Sequence, residues 1–167
     1  MAIRYILREG DASLLKKSRV ITGFDRRLHE LIDDMRETLI AANGLGLAAP
    51  QVGVLRRVAL IVDMSIETEN PEEQIIELVN PEILEESGED RGVEGCLSVP
   101  GHFGLVNRPI FVRIKAQDRN GNVFELCGKE MTARAVCHEL DHLNGVLYTS
   151  FIDKFLTREE LDSIAEE

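Results

Sequence analysis

Apolar residues recur at helical spacing in three stretches of the chain. After Asp25, the residues Leu28, Leu31, Ile32, Met35 and Leu39 fall on one face. Asn43-Gly44 ends the run, so the pattern predicts a helix capped by Asp25. A second stripe, Ala133, Val136, Cys137, Leu140 and Leu143, is closed by Asn144-Gly145. A third begins with Thr157-Arg158-Glu159-Glu160, a capping box, and runs through Leu161, Ile164 and Ala165. A further short helix is expected around Ser13 to Ser18.

Strands read differently. Arg57 to Val62 and Ile75 to Val79 are short apolar runs, joined by the acidic stretch Ile66 to Glu73, which reads as an exposed connection. Ile110, Val112, Ile114 and Ala116 alternate with Phe111, Arg113 and Lys115, the pattern of a half-buried strand. Asn120-Gly121 then turns the chain into Val123 to Leu126, which predicts a β-hairpin. The expected architecture is α+β in one domain spanning 1–167, with few parallel crossovers.

Composition narrows the class. With 167 residues, 44% of them hydrophobic, the chain can bury one sizeable core, and it contains no internal repeat. A formal charge of -11 argues against a large phosphate-binding surface and hence against direct nucleic-acid binding. No apolar run approaches the length of about 18 residues that a membrane helix needs, and Met1-Ala2-Ile3-Arg4 lacks a signal-peptide core. Three cysteines, Cys96, Cys127 and Cys137, are too few for a disulfide framework and fit a reducing compartment. The expectation is a soluble cytoplasmic protein with no membrane partner.

The chemistry concentrates on the second helical stripe. His138 and His142 are four residues apart, about 40° around a helix and about 6 Å along it, so both can grip one metal ion. They point roughly opposite to the apolar stripe. Glu139 stands beside them, completing the HExxH arrangement in which a carboxylate takes a proton from a metal-bound water. The same spacing occurs on ordinary solvated helices. A real site requires this helix to be covered on both sides and a third ligand to come from elsewhere.

Glycines bracket one cysteine in Gly92-Val93-Glu94-Gly95-Cys96-Leu97-Ser98-Val99-Pro100-Gly101. Cys96 could be a small core residue, a nucleophile, or the missing ligand. A nucleophile needs a free histidine as base, and both suitable ones are better used on a metal. A thiolate with two imidazoles completes a three-ligand site with an open position, so the ligand reading leads. Gly44 to Gly53 is a small-residue loop without the Lys-Ser/Thr continuation of a phosphate cradle. It is either a tight turn or a place where backbone approaches a ligand while Gln51 donates a hydrogen bond. His29 reads as a solvated surface histidine, and so does His102, although His102 could approach the cleft.

Three separated motifs carry a resemblance to the peptide deformylase family. They are Gly44-Leu45-Gly46-Leu47-Ala48-Ala49-Pro50-Gln51, Glu94-Gly95-Cys96-Leu97-Ser98 and His138-Glu139-Leu140-Asp141-His142, in the family's order. The likeness extends over nearly the whole chain, including Met1-Ala2-Ile3-Arg4, the Asp25 helix and the Asp118 to Gly121 turn. It implies an α+β fold with the HExxH helix packed among antiparallel or mixed β-sheets. It also implies removal of the N-formyl group from the initiator methionine of nascent polypeptides in bacteria or organelles, with release of formate.

Residue roles follow from the same resemblance. Cys96, His138 and His142 would hold the metal, and Glu139 would act as general base and then acid. The Gln51 side chain and the Leu97 backbone N–H would stabilise the developing oxyanion, and Gly46 would receive the substrate backbone. The resemblance implies Fe(II), with Zn(II), Ni(II) or Co(II) able to substitute. For the methionine pocket the candidates are Leu45, Val93 and Ala135, with the Arg134 stem packed nearby and its head reaching water. Glu94 and Asp141 could orient ligands or pair with an arginine.

The partners implied are N-formylmethionyl nascent peptides, with transient ribosome proximity. The acidic tail offers no electrostatic attraction to ribosomal RNA. Gly101-His102 and Cys137 depart from the family's usual residues without touching a catalytic position. Two rivals are an HExxH metallopeptidase and a non-catalytic, metal-stapled binding module. The first usually draws its third ligand from a downstream His or Glu, whereas Cys96 lies upstream; the second needs neither Glu139 nor Gln51.

Overall fold

The computed structural model describes residues 2–167. Met1, the first residue of the opening stretch in the resemblance, lies outside them. Helix α1 spans Arg26–Ala42. The Asp25 side chain accepts from Leu28 N at 3.1 Å, and Asn43 closes the helix in the left-handed conformation at φ 52°. Its expected apolar face, Leu28, Leu31, Ile32, Met35 and Leu39, is buried.

A five-stranded antiparallel sheet runs in the order β1 (Gly46–Ala48), β2 (Val58–Val62), β3 (Ile75–Ser87), β6 (Phe111–Gln117), β7 (Val123–Lys129). A separate two-stranded sheet pairs β4 (Asp90–Cys96) with β5 (Val99–Arg108). Helix α2 spans Met131–Leu143 and α3 spans Arg158–Ala165, the latter opening on the expected Thr157 capping box. The α+β reading of the sequence holds.

Strand β2 shows how the layers fit. Val58 and Leu60 join the α1 face with Ile32 and Met35, whereas Ala59 and Ile61 join the α2 face with Leu143 and Val136. Alternate side chains of one strand thus enter two cores, which is why its sequence is a continuous apolar run. The sheet lies between α1 and α2. Eleven of the thirteen residues of α2 are buried. The helix is therefore covered on both sides, and its histidine face lines an interior space. No described helix is long and apolar enough to cross a membrane.

Several elements differ from the sequence reading. Strand β3 continues eight residues past Val79, through Pro81 and a glutamate-rich half. Asn80 takes φ 49°, and the register with β6 shifts between Val79 and Glu82, so a bulge absorbs the proline while exposed glutamates face solvent. The Gly92 to Gly101 stretch, for which the sequence predicts no element, forms most of β4 and the start of β5. Glycines hid it, because they offer no alternation to read. The Gly44 to Gly53 loop contains β1 and a 3-10 turn, Ala49–Val52. In place of a helix over Ser13 to Ser18 there is a single 3-10 turn, Ala12–Leu15.

Candidate metal centre and active site

Helix α2 presents His138 and His142 on one face, 8% and 1% exposed. Cys96 ends β4, where the register with β5 shifts and the chain turns back at Val99. These three residues converge. One ligand atom from each lies within 4.8 Å of the others, with Cys96 Sγ 3.3 Å from His142 Nε2 and the two Nε2 atoms 3.2 Å apart. Ser98 N and Gln51 Nε2 donate to the Cys96 sulfur at 3.4 and 3.6 Å.

A buried ionic network fixes His138. Glu94 Oε2 lies 2.7 Å from His138 Nδ1, which places the ring proton there and turns Nε2 toward the other donors. Glu94 is held in turn by Arg108 Nε and Nη2 at 3.0 and 2.7 Å and by Arg134 Nη1 at 3.2 Å. Arg108 Nη1 also donates to Asp141 Oδ2 at 2.6 Å. Burial alone pushes the Glu94 carboxyl up, but the hydrogen bonds from Arg108 and His138 outweigh it and hold it at about 2. Glu94 and Asp141 are thus arginine partners rather than solvated carboxylates.

Arg134 departs from expectation. Its head does not reach water: the residue is 5% exposed, and its guanidinium also donates to the carbonyls of Val106 and Asp90 at 2.9 and 3.0 Å. Gly92 makes room for it, since a Cβ there would lie 2.7 Å from Arg134 Nη2. Arg108 was invisible in the sequence, because it belongs to no motif and its partners lie 14 and 33 positions away.

Glu139 is 3% exposed, and its Oε1 has no protein partner. Burial pushes the carboxyl up to about 7, partly offset by His138. Burial and the neighbouring charge of His138 pull His142 well below the ordinary imidazole value, so it is neutral. In His138 burial also pulls downward, but hydrogen bonds to Cys96 and Glu94 and the charge of Glu139 reverse this and raise it well above.

Gln51 is 1% exposed. Its Oε1 accepts from Ala48 N at 2.9 Å and its Nε2 donates to Ser98 Oγ at 3.1 Å, so the amide nitrogen faces the sulfur and the metal donors. A cavity of 430 Å³ opens beside these groups. Gly46, Leu45, Val93, Leu97 and Ala135 line it together with Gln51, Cys96, His138 and Glu139. Every site residue expected from the sequence except His142 borders this cavity, and His142 is one of its buried donors. Met131 and Phe103 also line it; their spacing carried no such signal.

The other histidines fall outside the donor group. His102 is exposed but sits on the cavity rim, its ring 4.7 Å from that of Phe155. His29 is not simply solvated: it is half-buried and its Nε2 lies 2.8 Å from the Arg119 carbonyl.

A family model described as polypeptide deformylase matches residues 3–157. A peptide deformylase of Alkaliphilus metalliredigens is 51% identical over 154 residues, covering 92% of this chain and 99% of that protein. One from Caldanaerobacter subterraneus subsp. tengcongensis is 46% identical, covering 99% of each. Among solved structures, the peptide deformylase of Legionella pneumophila superposes with a TM-score of 0.83 at 40% identity, covering 99% of this chain and 96% of that one. The Thermotoga maritima peptide deformylase gives 0.84 at 34% identity, covering 92% and 100%. With matches of this extent to both sequences and structures, the chain belongs to the peptide deformylase family.

Proposed function

We propose that the protein removes the formyl group from the N-terminal formylmethionine of nascent polypeptides, converting formamide and water to formate and a free amine. The carrying observation is one cavity that joins the Cys96 and His138 donors, with His142 buried beside them, to the buried Glu139 carboxylate and to the edge strand β1. Three convergent donors and an adjacent unpartnered carboxylate oxygen suit an open catalytic site better than a closed structural one.

One thiolate and two imidazoles fit a late first-row divalent ion, and the family is metal-dependent. When bound, such an ion lowers the pKa of water to about 7 and polarises the formyl oxygen. Fe(II) is the proposed resident metal, with Zn(II), Ni(II) and Co(II) as substitutes that the same donors admit. Loss of activity in air, reversed by anaerobic Fe(II), separates iron from the rest.

Glu139 takes a proton from the attacking water and returns it to the departing amine. Its raised pKa suits both directions of transfer near neutrality, and a cation beside it draws the value down. Gln51 Nε2, oriented by Ala48 and Ser98, donates to the formyl oxygen together with the Leu97 backbone N–H. The substrate main chain adds alongside Gly46, because β1 is an edge strand whose outer side is open. Leu45, Val93 and Ala135 receive the methionine side chain.

We place the reaction in the bacterial cytoplasm, where such substrates leave the ribosome. Contact with the ribosome is transient, since a net charge of -11 repels RNA. The test is formate release from formyl-Met-Ala-Ser, with acetyl-Met-Ala-Ser as control, by anaerobically purified protein loaded with Fe(II), Ni(II) or Zn(II). Turnover of the formyl peptide alone is expected. Cleavage of an internal peptide bond without formate would instead establish the peptidase reading.

A further inference from the structure

A second cavity, of 410 Å³, opens on another face of α2 and shares no lining residue with the first. Ile83, Pro109 and Leu140 give it apolar walls, and Arg57, Asn144, Glu82 and Glu86 give it charge and polarity. Arg108 and Asp141 also border it, paired at 2.6 Å, with Arg108 bound to Glu94 as well.

Arg57 stands apart from the other arginines. Every other arginine that is at least half-buried has a carboxylate within 3.3 Å. Arg57 is half-buried and has none. Its Nη1 donates to the Leu143 and Ser18 carbonyls at 3.0 and 3.4 Å, and its Nη2 to Asn144 Oδ1 at 3.1 Å. Two of the five guanidinium protons, on Nε and Nη2, are left over. Arg57 thus carries its charge without a counter-ion, and partial burial pulls it below its ordinary value. The Asn144 amide protons add further donors. Glu82 and Glu86, which also line the cavity, are exposed and have no ion-pair partner among the described residues. Unmatched charges of both signs thus flank one apolar space.

We propose that this cavity is a second ligand site, for a small zwitterion of the α-amino acid class. Its carboxylate meets Arg57 and Asn144, its ammonium meets Glu82 or Glu86, and an apolar side chain lies on Ile83, Pro109 and Leu140. The proposal is independent of the reaction assigned to the first cavity.

The probe is L-leucine, titrated into 15N-labelled, zinc-loaded protein and followed through backbone amide shifts. Saturable shifts are expected at Ile83, Cys137, Leu140 and Asn144, while Gly46 and Leu97 report any occupancy of the first cavity. N-acetyl-L-leucine and L-leucinamide each lack one charge, and each should bind the second cavity about tenfold more weakly or worse. Glu82→Gln with Glu86→Gln should weaken leucine similarly. Both glutamates are exposed, so this variant should fold; Arg57→Gln is the riskier companion because Arg57 braces two carbonyls. The absence of saturable shifts at the four amides would overturn the proposal, as would shifts confined to Gly46 and Leu97 or equal binding of all three probes.

Discussion

His138 Nδ1 lies 2.7 Å from Glu94 Oε2, while the far side of the same ring brings Nε2 to 3.2 Å from His142 Nε2. One imidazole is thus fixed at both edges. The carboxylate behind it answers to two buried arginines, so the orientation of a candidate metal donor on α2 is set by Glu94 of β4 and Arg108 of β5 together with Arg134 of α2 itself. Ligand geometry and fold stability share the same side chains.

Glu94→Gln keeps the shape and removes the charge that Arg108 and Arg134 both require. Metal affinity should fall about 10- to 100-fold, the usual effect of losing a ligand's outer partner. Stability should fall by about 3 to 5 kcal/mol, because two buried guanidiniums lose their shared counter-ion. Chelator competition and urea unfolding measure the two effects separately.

Gly46 sits against the proposed base. A Cβ built there would lie 2.5 Å from Glu139 Oε2 and 2.8 Å from its Cδ. Gly46→Ala should push the carboxylate aside and lower kcat/KM by about 10²-fold, the scale of a 1 Å misplacement. Unchanged kinetics in this variant would mean that the position of Glu139 does not limit turnover.

Stability should depend on pH through Glu94. Its carboxyl is held at about 2 in the folded protein against an ordinary 4.5. A depressed folded value contributes stability that is fully present above 4.5 and lost as pH falls toward 2, at most about 3 kcal/mol. Urea midpoints of metal-free protein at about pH 5 and about pH 3 should therefore differ more in the wild type than in Glu94→Gln.

Two glycines with nearly equal φ separate conformation from space. Gly101 has φ 78°, and a Cβ added to it would have nothing within 4 Å, whereas Gly145 has φ 75° and its Cβ would meet the Leu15 carbonyl oxygen at 2.6 Å. Gly101→Ala should cost about 1 kcal/mol for the left-handed conformation alone. Gly145→Ala should cost clearly more, since backbone of the N-terminal segment must move. Equal urea midpoints for the two variants would contradict that packing.

The parts of the fold that the sequence made legible are those with a strong period or a capping residue. Asp25, Asn43 and Thr157 mark helix ends because their side chains or conformation serve local backbone. The candidate donor group was legible because His138 and His142 are local in sequence and Cys96 sits in a recognisable motif. Strands β4 and β5 were not, since their glycines serve neighbours such as Arg134, whose guanidinium needs the space above Gly92. The Arg108 network was equally hidden, as it depends on contacts that only the folded chain brings together.

The most direct test is Glu139→Gln, assayed for both metal content and formate release from formyl-Met-Ala-Ser. One metal per chain is expected, as in the wild type, with turnover reduced about 10²- to 10⁴-fold or more, because binding is left to Cys96, His138 and His142 while proton transfer is lost. A variant that binds metal and releases formate at the wild-type rate would contradict the role of Glu139 as the base.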